Sequence, residues 1–263
     1  MISSAEISEA IRSLGVGPAD VLFVHSGLQS ALRVQGDTRQ AKMETVLDAL
    51  DAVVSDGVLI LPTFTYSFCR GEDFDVERSP STVGMLTEHF RRLPGVRRTA
   101  EPIFSCAIRG RLPDEWEDRL YAPRDGDCFG SDSVFAFLHE ANAKILFFGV
   151  GFEFCTFVYR VEQQLGVPYR YMKDFRGEVI SHGRRTSVTA RYFVRDLGGG
   201  VENAFLPLGA ELSARGLMHE HRIARAPRLL CCAVRDVHGV AVEKVHERPD
   251  YLLTRGQPEA VVT

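Results

Sequence analysis

The 263-residue chain has no surplus of basic charge, no long apolar run and no paired cysteine motif, and each absence closes a class of function. With 31 Lys and Arg against 35 Asp and Glu, the net charge of −4 leaves no concentrated cationic face for a phosphate backbone, which excludes a nucleic-acid partner. The local exception is Arg184-Arg185 with Arg191 and Arg195. It reads either as a solvated strand face or as a holder for a phosphorylated ligand. No apolar stretch approaches the roughly 20 residues that span a bilayer, and Met1–Glu6 lacks the basic and apolar regions of a signal peptide. A cytoplasmic protein with no membrane partner is expected. Cys69, Cys106, Cys128, Cys155, Cys231 and Cys232 are scattered without a CxxC pair, mostly in apolar surroundings, and are expected as reduced thiols.

Catalytic signatures are also missing. Gly149-Val150-Gly151 lacks the third glycine of a dinucleotide fingerprint. His219 and His221 are two apart with no third partner at metal spacing, so no metal is expected. Ser26 and Ser105 lack the strand–elbow–helix setting of a hydrolase nucleophile. Gly198-Gly199-Gly200 reads as a hinge or loop. No linker rich in Pro, Gly or Ser divides the chain and no repeat runs through it, so residues 1–263 are expected to form one domain.

What is present is an alternation of buried strands and amphipathic helices. Ser3 and Glu6 form a capping-box pattern ahead of Ile7, Ile11 and Leu14 at helical spacing. Val21–Val24 and Val58–Leu61 are short, continuously apolar strands separated by a helix carrying Val46, Leu47, Leu50, Val53 and Val54. Further strands are predicted over Ile103–Ala107 and Lys144–Val150, and further helices around Met85–Leu93 and Val134–Ala141. After Pro168 the pattern changes. Glu178–Ser181 and Thr186–Val194 flank His182-Gly183 and predict a hairpin. A helix follows over about Val201–Ala214, then a strand pair Leu229–Val234 and Val240–Val245 around Asp236–Gly239. The expected fold is α/β, a mixed sheet with flanking helices over about residues 1–170 and a C-terminal antiparallel lobe over about 171–263.

Three segments stand where such folds bind ligands, at strand carboxyl ends. His25-Ser26-Gly27-Leu28 follows the first strand and suits a polar ligand approached by backbone, or simply a capped helix start. Thr63-Phe64-Thr65-Tyr66 follows the second and suits a narrow tunnel, or an aromatic satellite cluster. In Thr156–Glu162, helical spacing brings Thr156, Tyr159 and Glu162 close to one face, as a reactive row or a solvent-facing stripe.

In this order, VLFVHSGLQS, LILPTFTYSF, Ser79–Glu88, Arg98–Ser105, Cys128-Phe129-Gly130, ILFFGVG and TFVYRVEQ resemble the aminoglycoside 3-N-acetyltransferase family, in particular its surface-polysaccharide branch. The likeness runs from Val21 to about Arg176 and is loose beyond. It implies acetyl-CoA, or another acyl-CoA, as co-substrate. His25, Ser26, Gly27, Leu28, Thr63, Phe64 and Thr65 would hold its pantetheine arm, with Ser105 near it. The family's reactive helix looks like Thr-x-x-His-x-x-Glu, with the His as proton acceptor oriented by the Glu. Here Thr156 and Glu162 are kept and the His position is Tyr159.

A tyrosine, with an unperturbed pKa of about 10, is a poor base at neutral pH. Glu162 is one candidate for the base, if burial raises its pKa. Alternatively Tyr159 donates a hydrogen bond to the thioester oxygen or the departing sulfur and the base lies elsewhere, or the chain turns over slowly or not at all. Glu101 is the second candidate for meeting the acceptor amine. The expectation is direct acyl transfer from acyl-CoA to an amino sugar, nucleotide-linked for surface polysaccharide. The competing readings are an aminoglycoside-modifying acetyltransferase and a non-catalytic acyl-CoA- or sugar-binding relative. A homodimer through the lobe is the default assembly.

Overall fold

The computed structural model describes residues 1–27, 33–196, 201–223 and 228–255. Three parallel strands form its centre: β1 (Val21–Ser26), β2 (Val58–Pro62) on one side of it and β7 (Lys144–Phe148) on the other. Beyond β2 lie β5 (Cys106–Arg109) and β4 (Arg97–Arg98), both antiparallel to their neighbours. Beyond β7 lie β12 (Arg228–Ala233) and β11 (Met218–Arg222), again antiparallel. The seven-stranded order is β11-β12-β7-β1-β2-β5-β4. Because the chain leaves β1 first to one side and later returns on the other, the carboxyl ends of β1, β2 and β7 frame a crevice.

The apolar runs of the central strands follow from burial on both faces. Leu22 and Val24 point to one side, where they pack with α1 (Ser4–Ser13), α2 (Arg39–Val53) and α3 (Met85–Phe90). Phe23 points to the other, into a larger core with α5 (Val134–Glu140), α6 (Val158–Leu165) and α8 (Val234–Glu247). The predicted capping box of α1 is present, Ser3 Oγ accepting from Glu6 N–H and Glu6 accepting from Ser3 N–H at 2.8 Å. Here α4 (Asp114–Tyr121) packs through Trp116 and Leu120.

The predicted hairpin is longer than its local pattern: β8 (Arg170–Ser181) and β9 (Arg184–Arg195) pair along their full length. His182 and Gly183 both take positive φ, 49° and 76°, the two-residue turn that suits the strand twist. Short strands β3 (Phe74–Asp75) and β6 (Gly126–Asp127) flank it in parallel, completing a second sheet β3-β8-β9-β6.

The C-terminal expectations need correction. The helix foreseen over Val201–Ala214 divides into β10 (Val201–Asn203), paired with β13 (Leu253–Arg255), and α7 (Leu206–Ala214). The foreseen pair Leu229–Val234 and Val240–Val245 is a strand followed by a helix, β12 then α8. Asp236–Gly239 resembles a turn locally, yet Val234, Val237, Val240, Ala241 and Val245 recur at helical spacing and are all buried. The region 171–263 is therefore not one antiparallel lobe: β8 and β9 form the lobe, while β11 and β12 complete the main sheet.

Candidate active site

The crevice holds a cavity of about 310 Å³ lined by His25 and Ser26 at the end of β1 with Gly27 just beyond, Phe64 and Tyr66 after β2, and Glu153, Thr156 and Tyr159 after β7. Gly27 is required by close approach, since a Cβ there would lie 2.8 Å from Gly149 O and from Val150 Cγ1. Val83, Thr87 and Phe205 close the remaining wall. Leu28 lies outside the described residues.

His25 is 6% exposed, its ring stacked on Phe147 at 5.5 Å and edge-on to Phe23 at 4.8 Å. Burial pushes its pKa down to about 3, so the imidazole is neutral. Its Nε2 lies 3.2 Å from Thr156 Oγ1. Thr156 thereby links the ends of β1 and β7, and its carbonyl accepts Tyr159 N–H at 3.1 Å at the entrance to α6.

The polar row on α6 does not face solvent. Glu162 is fully buried, and its Oε2 pairs with Arg170 Nε at 2.9 Å. Its Oε1 accepts the Tyr169 hydroxyl at 3.0 Å. Burial raises its pKa, and the Arg170 guanidinium opposes that rise. Arg170 also donates to Asn203 Oδ1 at 2.9 Å, which turns the Asn203 amide nitrogen toward Tyr159, where it donates to the phenol oxygen at 3.0 Å. The guanidinium carbon stands 4.8 Å from the centre of the Tyr159 ring. Burial keeps the Tyr159 pKa above its ordinary value, so the phenol stays protonated. Arg170 and Asn203 were not singled out from the sequence. Asn203 falls in a stretch whose pattern predicts helix, and Arg170 opens a strand with no motif around it.

Thr63 and Ser105 are brought together, but away from the cavity. Both are fully buried around Arg98, whose Nε lies 3.1 Å from each hydroxyl. Burial pushes the Arg98 pKa down to about 10. Thr65 is also buried, its N–H donating to Ile103 O at 3.1 Å. These three residues secure the wall that presents Phe64 and Tyr66. Ser79 and Thr82 are drawn onto the same wall, through Arg98 and Phe64 O respectively.

Glu101 borders a second cleft of about 210 Å³, shared with Arg119, Asp127, Cys128 and Arg191. Its carboxylate accepts from Ile103 N–H at 3.1 Å, from Phe104 N–H and from Cys128 Sγ–H at 3.2 Å. Burial outweighs these contacts and pushes its pKa up to about 7. An aromatic partition separates the two clefts: Phe104 touches Tyr66 and Tyr192 at 5.9 and 4.9 Å, and Phe129 touches Tyr159 at 5.7 Å. Arg185 and Arg191 are paired with Asp73 and Asp127, each at 2.7 Å. At roughly 3.4 Å per residue, the two ends of β9 lie tens of ångströms apart, so Arg184 and Arg195 cannot meet on one diphosphate.

Among the described residues no group of three or more His, Cys, Asp or Glu is placed to hold a metal, and no helix is long and apolar enough to cross a membrane. The six cysteines are unpaired, five of them buried.

The model of the family described as aminoglycoside 3-N-acetyltransferase matches residues 23–245. Aminoglycoside N(3)-acetyltransferase IV of Salmonella sp is 32% identical over 167 residues, covering 63% of this chain and 60% of that protein, so this match spans less than two thirds of the relative. Aminoglycoside N(3)-acetyltransferase VIII of Streptomyces fradiae is 25% identical over 282 aligned positions, covering 94% of this chain and 93% of the relative. A solved structure of AAC-IIIb with CoASH shares the fold with a TM-score of 0.76 at 19% identity, covering 98% of this chain and 99% of that one. The chain belongs to the aminoglycoside 3-N-acetyltransferase family, whose enzymes move an acetyl group from acetyl-CoA to an amine.

Proposed function

We propose that the protein transfers an acetyl group from acetyl-CoA directly to an amine of an aminoglycoside, with Tyr159 as the hydrogen-bond donor to the thioester carbonyl. The observation that carries this is the orientation of the phenol. Its oxygen already accepts from Asn203, whose own orientation is set by Arg170, and its pKa is raised, so the O–H proton is available to the cavity. A donor aimed at the oxygen that becomes negative in the tetrahedral adduct is worth about 10²–10³-fold in rate. Thr156, hydrogen-bonded to His25, supports the same wall.

In this reading Glu162 is not the base. Both its oxygens are occupied and it does not border the cavity, so it acts as a positioning residue through Arg170 and Asn203. Glu101 holds an ammonium group of the acceptor from the neighbouring cleft. The donor's pantetheine passes His25, Ser26, Gly27 and Phe64. Thr63, Thr65 and Ser105 act from behind that wall. A nucleotide-linked acceptor is the weaker reading, because the arginines of β9 are spread along the strand and two of them are paired.

The test is thiol release from acetyl-CoA with a panel of aminoglycosides and free and nucleotide-linked amino sugars. Release with aminoglycosides is expected. Release with nucleotide-linked sugars alone would favour the polysaccharide reading, and CoA binding without release to any acceptor would leave a non-catalytic relative.

A further inference from the structure

With a phenol at position 159, the cavity needs another group to take the proton from the attacking nitrogen. The candidates that border it are few. His25 is neutral and buried, and burial holds it so far down that it does not accept a proton near neutrality. Tyr66 and Cys155 are raised to about 12 by burial. Glu162 lies behind the wall, and Glu101 borders the other cleft with three donors on its carboxylate.

Glu153 remains. It belongs to the short 3-10 turn Phe152–Phe154 between β7 and α6, three residues before Thr156, and among the described residues it is the carboxylate that borders the cavity. It is exposed, and it forms no ion pair or side-chain hydrogen bond among the described residues. The side chain is folded back over the bare Cα of Gly151: a Cβ there would collide with both carboxylate oxygens. Gly151 has φ −96° and ψ −179°, extended backbone that any residue adopts, so the room it gives the carboxylate accounts for the glycine better than conformation does.

We infer that Glu153 is the proton-accepting carboxylate of the acyl transfer in this chain, the role that residue 159 cannot fill. The inference rests on the acetyl-transfer reading of the cavity. The acceptor ammonium first loses one proton to solvent. The neutral amine then attacks the thioester carbon, forming the C–N bond and an oxyanion that accepts from Tyr159. The adduct nitrogen now carries a positive charge beside an electron-poor carbon and is more acidic than the free ammonium. Glu153 takes its proton and returns it to sulfur as the C–S bond breaks. Ammonium and thioester thus become amide, thiol and one released proton.

The experiment compares the parent protein with Glu153→Gln and Glu153→Ala, following thiol release from acetyl-CoA with an aminoglycoside that the parent turns over, and CoA affinity by calorimetry. Both variants are expected to lose about 10²-fold or more in kcat, the usual worth of a general base, with CoA affinity unchanged. Added formate is expected to restore part of the rate to Glu153→Ala but none to Glu153→Gln, whose amide fills the space. A kcat for Glu153→Gln within about threefold of the parent, where a general base is worth far more, overturns the inference and leaves acetyl transfer standing. A parent that turns over no aminoglycoside overturns the functional reading and this inference with it.

Discussion

Tyr159 has its oxygen 3.0 Å from Asn203 Nδ2 and its ring beneath the Arg170 guanidinium, which fix the hydroxyl in place, while burial keeps it protonated against the opposing pull of Arg170. Tyr159→Phe removes the O–H and keeps the ring that packs on Phe129 and Phe205 at 5.7 and 5.5 Å. Its kcat is expected to fall about 10²–10³-fold, with little change in the KM for acetyl-CoA, as initial-rate kinetics can measure. Tyr159→His is expected to lower the rate as well, because an imidazole does not place a donor at the end of the longer phenol. A rise in rate for that variant would instead mark Tyr159 as a lost catalytic position. At this scale the sequence pointed to a row of residues and was silent about their partners. The 156, 159, 162 spacing exposed the row, yet the partner of Glu162 is Arg170, a residue from the next element with nothing in its local sequence to announce it.

Where α6 meets β8, the tie is the ion pair Glu162–Arg170, with both side chains at most 1% exposed. Removing one member of such a pair leaves a desolvated charge with no partner. Arg170→Met is therefore expected to cost about 3–5 kcal/mol of stability, read by urea unfolding. The double change Arg170→Met with Glu162→Leu should cost clearly less than the sum of the two single changes. Elements with a strong local signal matched expectation: the capping box of α1, the apolar strands β1, β2 and β7, and the hairpin turn at His182-Gly183. Those that failed lie where local and periodic signals conflict. Asp236–Gly239 has turn composition, but the valine stripe of α8 has a core to meet, and packing outweighs the local preference.

Across the whole molecule, two buried groups respond to pH in opposite directions. The folded pKa of His25, about 3, lies below its unfolded value of 6.5, so the stability it contributes is complete above pH 6.5 and is lost as pH falls toward 3. That of Glu101, about 7, lies above its unfolded 4.5, so its contribution is present below 4.5 and is lost as pH rises through 7. Thermal unfolding from pH 4.5 to 8 is the check. His25→Gln should gain on the parent as pH falls below 6.5, by at most about 1.4 kcal/mol per pH unit, and Glu101→Gln should gain on the parent as pH rises toward 7. Flat differences in place of these trends would mean that the two side chains are solvated in the folded protein.

The sequence by itself determined the class of fold, the family and the three strand-end segments around the crevice. Those features are carried by short-range patterns: apolar runs, cap residues, and a glycine where two backbones touch. Tertiary structure alone decided the rest. It sent β11 and β12 back to the main sheet, turned Thr63 and Ser105 toward Arg98 rather than the cavity, and brought Asn203 to Tyr159. Each of these joins residues distant in the chain, and the burial that shifts a pKa or commits a hydroxyl exists only once those segments pack together.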